Sequence, residues 1–222
     1  MFERYSEPAR RVIFYSRYMA HQVGSPEIET EHLLLGLLRA DMVLARRFLG
    51  SPWAAEEIWQ ELERRDPVRA TTPGNVDLPL STEAKRVLFL AAEEADRLSS
   101  KKIRTAKIRT EHLLLGLLRD EECVAAALLH RRGLHLVSTR EELSRSPHND
   151  SAVEKFVRDT IPLPQDVVEV QTRIGSIVSR MEEAMANHDF AKARSCSDEE
   201  RIERDKLRLL YQEHGLSGWM FE

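Results

Sequence analysis

The residues best placed for chemistry occur in two identical runs. Thr30 to Arg39 and Thr110 to Arg119 both read Thr-Glu-His-Leu-Leu-Leu-Gly-Leu-Leu-Arg. A hydroxyl and a carboxylate just ahead of an apolar run suit a helix start. The threonine oxygen caps an orphan amide, and Glu31 or Glu111 complements the positive end of the helix dipole. The same place is a ready site for an anion. Ser6 and Ser81 open a second repeated pattern and are expected to cap their helices in the same way. The residue before each Thr-Glu-His differs. Glu29, with Glu27 nearby, should repel an anion, whereas Arg109, with Lys107, should attract one.

Other chemistries find less support. Glu29-x-x-His32 has the spacing of a metal-binding pair in di-iron bundles, but Arg109 replaces the glutamate in the second copy. His21, His130, His135, His148, His188 and His214 are scattered, with no H-E-x-x-H or Cys/His cluster. None of the nine glycines begins a G-x-x-x-x-G-K-[ST] phosphate loop. The chain is read as non-catalytic, with no metal and no cofactor. Five bases between Lys101 and Arg109 read as a solvated loop, since stacking aromatics are missing, and no direct nucleic-acid binding is expected.

The elements that must hold these residues repeat with them. Ser6-x-x-Ala9-Arg10-Arg11-Val12-Ile13-Phe14 matches Ser81-x-x-Ala84-Lys85-Arg86-Val87-Leu88-Phe89. These blocks are offset by 75 positions and the Thr-Glu-His runs by 80, so the second copy carries five extra residues, within Lys101 to Arg109. Each copy reads as four helices. The first has the apolar stripe Ala9, Val12, Ile13, Ser16, Ala20, Val23, repeated as Ala84, Val87, Leu88, Ala91, Ala95, Leu98. The second is almost wholly apolar and should sit at the centre, with Gly36 and Gly116 marking close helix packing. The third stops at Gly50 or Gly133. Ser51-Pro52 supplies a cap and an N1 proline to the helix carrying Ile58 and Leu62.

Pro67, Pro73, Gly74 and Pro79 mark the link between the copies, and Pro147, Pro162 and Pro164 a second break. The fold class is all-α: a pseudo-two-fold, eight-helix domain over residues 1–145 (repeats 1–65 and 80–145), a linker at 146–166, a helical hairpin at 167–214 and a tail at 215–222. The hairpin stripe is Val170, Ile174, Ile177, Met181, Ala184, Met185, then Phe190, Ala193, Ile202, Leu207, Leu210, with Asp189 capping the second helix. Trp219-Met220-Phe221 is expected to dock on it. So few apolar residues give a hairpin little independent stability, which points to a partner or to self-association.

Composition agrees with this outline. Charged residues make up 32% and aromatics 6%, which suits helices with solvated faces. A net charge of −4 provides no global attraction to nucleic acid or anionic membrane. Cys123 and Cys196 stand far apart and read as reduced, and the chain shows neither an apolar leader nor a membrane span. The expected location is the cytoplasm.

The doubled pattern, Ala-x-x-Val-hydrophobic followed by Thr-Glu-His-Leu-Leu-Leu-Gly-Leu-Leu, resembles the Clp N-terminal repeat domain of ClpC-type unfoldases, over residues 2 to about 145. Met181-x-x-Ala184-Met185-x-x-x-Asp189-Phe190-x-x-Ala193-Arg194 resembles the UVR motif, over about 173 to 208. The resemblance implies recognition parts of such a machine without its ATPase modules. Its implied partners are a Clp unfoldase, adaptors or substrates. It implies phosphoarginine pockets at Thr30 and Glu31 and at Thr110 and Glu111, with Ser6 and Ser81 in the positions of family threonines and Arg109 beside the second. The UVR likeness implies protein contact through Met181, Met185, Asp189, Phe190 and Arg194. It also keeps open an alternative, a scaffold linked to nucleotide-excision repair.

Overall fold

A computed structural model describes residues 3–51, 54–65, 78–99, 106–146, 164–187 and 189–213. It is helical throughout and divides into two compact units, Met1–Asp150 and Ser151–Glu222. In the first unit α1 (Glu7–Gln22), α2 (Thr30–Ala40), α3 (Met42–Leu49) and α4 (Ala54–Arg65) form one repeat. The other is α5 (Thr82–Leu98), α6 (Thr110–Arg119), α7 (Val124–Arg131) and α8 (Leu136–Arg145). Ser6 and Ser81 cap α1 and α5, their oxygens accepting from the amides of Ala9 (3.4 Å) and Ala84 (3.0 Å). Gly50 ends α3 in the left-handed conformation (φ 73°), which costs a residue without Cβ nothing. The placement of Pro52 and of Trp219 to Phe221 lies outside the described residues.

Helices α2 and α6 are the hubs. Leu33, Leu34, Leu35, Leu37 and Leu38 are buried, as are Leu113, Leu114, Leu115, Leu117 and Leu118. Each fully buried leucine contributes about 1.5–3 kcal/mol relative to exposure. The repeated glycine explains how the first helix of each repeat comes so close. A Cβ on Gly36 would lie 2.6 Å from the Val12 carbonyl and 2.5 Å from Ser16 Oγ. One on Gly116 would lie 2.7 Å from the Val87 carbonyl and 2.9 Å from Ala91 Cβ. Ser16 and Ala91 occupy equivalent places, where only a small residue fits.

The repeats are interlocked at their openings. Tyr5 bridges in parallel to Ile108, and Ile28 to Leu80. Ser6 N donates to Ile108 O (2.9 Å), and Ile108 N to Arg4 O (2.8 Å). Ile28 N donates to Pro79 O (2.8 Å), and Ser81 N to Ile28 O (3.0 Å). The lead-in to each first helix therefore lies beside the lead-in to the other repeat's second helix. The outer helices cross in the same sense: Arg47 of α3 bonds Glu142 of α8 (2.9 Å), while Arg131 and Arg132, at the end of α7, pair with Glu61 of α4.

The expected stripes hold with adjustments. Ile13, Val23 and Leu98 are only half-buried, while Tyr15, Tyr18 and Glu94 are buried. Periodicity could not find Glu94, a carboxylate in an apolar register. It is fully buried because Arg140 of α8 approaches both its oxygens (3.0 and 2.9 Å) and Arg119 adds a third contact (3.1 Å).

In the second unit α9 (Gln165–Ala186) and α10 (Phe190–Glu213) pack as a hairpin. Val167, Val170, Ile177, Met181 and Ala184 are buried on α9, and Ala193, Cys196 and Leu207 on α10. Asp189 caps α10, accepting from Lys192 N (3.0 Å). Of the apolar residues that α10 carries, Phe190 and Ile202 are exposed (52% and 54%), because the seam of α10 passes through Ala193, Cys196 and Glu200.

Replacing Gly116 with alanine should lower stability by about 1–3 kcal/mol through overpacking, although alanine gains about 1 kcal/mol in helix propensity. Thermal unfolding of Gly116→Ala and Gly36→Ala checks this, and an unchanged or raised Tm would refute the close-approach account.

Candidate functional site

Each repeated Thr-Glu-His run starts a helix, but the threonine is not its cap. The N-cap residues are Glu29 and Arg109, both extended, and Thr30 and Thr110 are the first helical residues, buried. The correction has a physical reason: the histidine supplies the capping bond. His32 Nδ1 accepts from Glu29 N (3.0 Å), and His112 Nδ1 from Arg109 N (3.0 Å). An imidazole three residues after the cap thus does what Glu or Gln does in a capping box. Burial holds both imidazoles neutral. His32 is pushed down to about 4, and so is His112, with Arg109 adding to the effect.

The threonines are free to do something else. Thr110 Oγ1 donates to Asp41 Oδ2 (2.6 Å), while Asp41 Oδ1 caps α3 through Leu44 N (2.9 Å). Thr30 Oγ1 accepts from Ala125 N (3.5 Å) at the start of α7, whose cap is Cys123. Each hydroxyl therefore reaches the cap region of the other repeat's third helix. Burial also raises the Cys123 thiol, so it serves as a neutral cap, accepting from Ala126 N (3.3 Å). Both cysteines are buried and free.

The interlocked openings decide which residues come together. The amide of Ser6 donates to the Ile108 carbonyl, just ahead of Arg109, Thr110 and Glu111 in the chain, and that of Ser81 to the Ile28 carbonyl, just ahead of Glu29, Thr30 and Glu31. Each helix start is thus composite, a serine from one repeat beside the Thr-Glu of the other. The two differ in charge and burial. Glu111 is buried (6%) with Arg109 Nη1 3.8 Å from its carboxylate, and Arg109 and Lys107 are exposed. Glu31 is half-buried and accepts from Thr30 Oγ1 (3.3 Å), with half-buried Glu27 and Glu29 close in the chain. Bases Lys101, Lys102 and Arg104 lie outside the described residues.

The hairpin residues separate. Met181 is fully buried in the seam and Met185 and Arg194 are half-buried, whereas Asp189 and Phe190 are exposed at the turn. Among the described residues, no group of three or more His, Cys, Asp or Glu could hold a metal ion. His32 Nδ1 is committed to the backbone amide of Glu29. No described helix is long and apolar enough to cross a membrane.

An interlocked pair of four-helix repeats with central leucine helices is the arrangement that comparison with known proteins picks out. Residues 4–108 match the Clp repeat (R) N-terminal domain. The Clp repeat region is homologous to the N-terminal parts of ClpA- and ClpC-type chaperones. It is 36% identical over 150 residues to an ATP-dependent Clp protease ATP-binding subunit ClpA homolog of Guillardia theta, covering 65% of this chain and 17% of that protein. It is 32% identical over 148 residues to the negative regulator of genetic competence ClpC/MecB of Bacillus subtilis, covering 64% of this chain and 17% of that protein. The chain therefore spans about a sixth of the length of these relatives. The N-terminal domain of the chaperone ClpD from Arabidopsis thaliana superposes with a TM-score of 0.50 at 28% identity, covering 64% of this chain and 95% of that one. The relatives' alignments run past Ile108, so the likeness takes in the second repeat as well as the first.

The capping histidines predict a pH response. The folded imidazoles titrate near 4 and unfolded ones near 6.5, so between these values the unfolded chain binds protons that the folded chain refuses. The two histidines thus contribute stability that is full above pH 6.5 and is lost as pH falls toward 4. In the double variant His32→Gln/His112→Gln, glutamine can still accept the cap N–H but does not titrate. Its Tm should fall less between pH 7 and 4.5 than that of the parent; an unchanged pH slope would refute the assignment.

Proposed function

We propose that this chain is a non-catalytic recognition or adaptor protein of the Clp protease system, working in the cytoplasm and binding substrates or adaptors on behalf of an unfoldase. The observation carrying this reading is the composite helix start of α6, where Ser6, Arg109, Thr110 and Glu111 gather within a Clp repeat domain. A buried carboxylate beside helix amides suits a ligand carrying both a guanidinium and an anion. Glu111 would accept from the guanidinium, and Arg109 with the first-turn amides would take phosphoryl oxygens. In the free protein Arg109 itself lies against Glu111, where the ligand's guanidinium would go. Phosphoarginine in a protein chain has this chemistry.

The start of α2 offers Glu27, Glu29 and Glu31 with Ser81, a field that favours a cation and opposes phosphate. The two starts are therefore unequal, and the α6 start is the anion-binding one. The exposed turn of the hairpin, with Asp189 and Phe190, gives the second unit a surface for protein contact.

Titration of a phosphoarginine peptide by calorimetry tests the reading. Glu111→Ala should weaken binding by about tenfold or more, and Glu31→Ala by much less. Equal losses would remove the asymmetry, and no binding to the parent protein would remove phosphoarginine as the ligand. A pull-down with and without residues 167–222 tests the partner class: recovery of a Clp unfoldase supports the proposal, and recovery of excision-repair proteins replaces it with a repair scaffold.

A further inference from the structure

The α6 start holds an arginine of its own against the carboxylate that would receive a ligand's guanidinium. Arg109 Nη1 lies 3.8 Å from Glu111, longer than a hydrogen bond, and its side chain stays 57% exposed while Glu111 is buried. This is a costly place for a cation. Arg109 is the N-cap of α6, with exposed Lys107 two residues before it, at the positive end of the helix, where acids are normally placed. The charge of Arg109 acts on the capping imidazole, adding to the burial that pushes His112 down. The carboxylates that act on the same imidazole are held by other arginines, Glu94 by Arg140 and Arg119 and Asp96 by Arg4. Glu111 is the carboxylate that Arg109 leans on, through a long contact open to water, of the kind that holds weakly. The α2 start has Glu29 in the place of Arg109, so the arrangement belongs to one repeat.

We propose that Arg109 is an exchangeable occupant of the Glu111 seat, and that this exchange makes the α6 start select a phosphorylated guanidinium over a bare one. The inference rests on the proposed binding of phosphoarginine at the α6 start. A bare guanidinium entering the seat replaces one ion pair with another. It also leaves Arg109 without its carboxylate at the positive end of the helix, so entry gains little. A phosphorylated guanidinium makes the same replacement but brings phosphoryl oxygens to the freed Arg109, to Lys107 and to the first-turn amides. The displaced cation then gains a stronger partner than the one it lost. Inorganic phosphate supplies the oxygens but nothing for Glu111, whose charge opposes it. Selection thus comes from the displacement of Arg109 as much as from the new contacts.

Calorimetric titration of the full chain with a phosphoarginine peptide, and with the same peptide carrying unmodified arginine, tests the exchange. Arg109→Ala should weaken phosphoarginine binding by about tenfold and strengthen binding of unmodified arginine by about two- to fivefold, with unchanged helical circular dichroism. The opposite signs separate exchange from a simple phosphate contact, whose loss would leave the unmodified peptide unaffected. Removing the seat as well, in Arg109→Ala/Glu111→Ala, should abolish the gain. A parent chain that binds no phosphoarginine peptide would overturn the selection together with the reading it rests on. Phosphoarginine binding by the parent with no rise for unmodified arginine in Arg109→Ala, or a rise that survives the loss of Glu111, would overturn the exchange alone.

Discussion

The structure of the first unit depends on an exchange between its halves. The extended stretch before α1 hydrogen-bonds to the stretch before α6, and the one before α5 to the stretch before α2. These bonds satisfy backbone groups that would otherwise be lost at the edge of a leucine core, so they tie the two repeats at the point where each central helix begins. Much follows from that constraint. The second helices lie innermost. Their threonine hydroxyls face the opposite repeat's third helix and leave capping to histidine. Each helix start is built from both copies. A single repeat would lack the extended lead-in that its own pairs with, the hydroxyl acceptor and the ion-pair partner of its outer helices.

Identical residues acquire different work in this frame. Arg39 and Arg119 end the same decapeptide, yet Arg39 lies over the rings of Tyr15 (4.6 Å) and Tyr18 (5.2 Å), whereas Arg119 pairs with Glu93 (2.9 Å) and Glu94. The difference arises one helix away, where α1 carries tyrosine and methionine at the positions held by the two glutamates of α5. Asp41 and Cys123 diverge likewise: one cap is a charged acceptor that also receives a threonine hydroxyl, the other a neutral thiol. The repeats keep the packing that glycine and leucine require and differ in polar groups, which is why the two helix starts present opposite fields.

The hairpin follows another logic. Its two helices bury one seam and leave a second apolar line outside, so each helix has two faces of differing chemistry. A stripe search along one helix mixes the two lines, since residues three and four apart can belong to either. Phe190 and Ile202 belong to the outer side, and the seam runs through Ala193, Cys196 and Glu200.

The sequence by itself determined the duplication, the helices and most of their ends, the need for small residues at Gly36 and Gly116, and the serine caps. The caps and helix ends are local, set by hydrogen bonds within a few residues, the helices show in a 3.6-residue period, and the duplication and its paired glycines show as a repeat, although each glycine's close contact lies on another helix. The unlike neighbours Glu29 and Arg109 were also legible, because charge needs no fold to be read. Tertiary structure alone decided which serine cap lies beside the lead-in to which second helix, where the threonine hydroxyls point, that histidine caps α2 and α6, and that Glu94 can be buried beneath two arginines. Each of these needs groups brought together from distant parts of the chain. The energy of a buried charge or hydroxyl depends on the partner supplied across the interface, and no spacing along the chain encodes that partner.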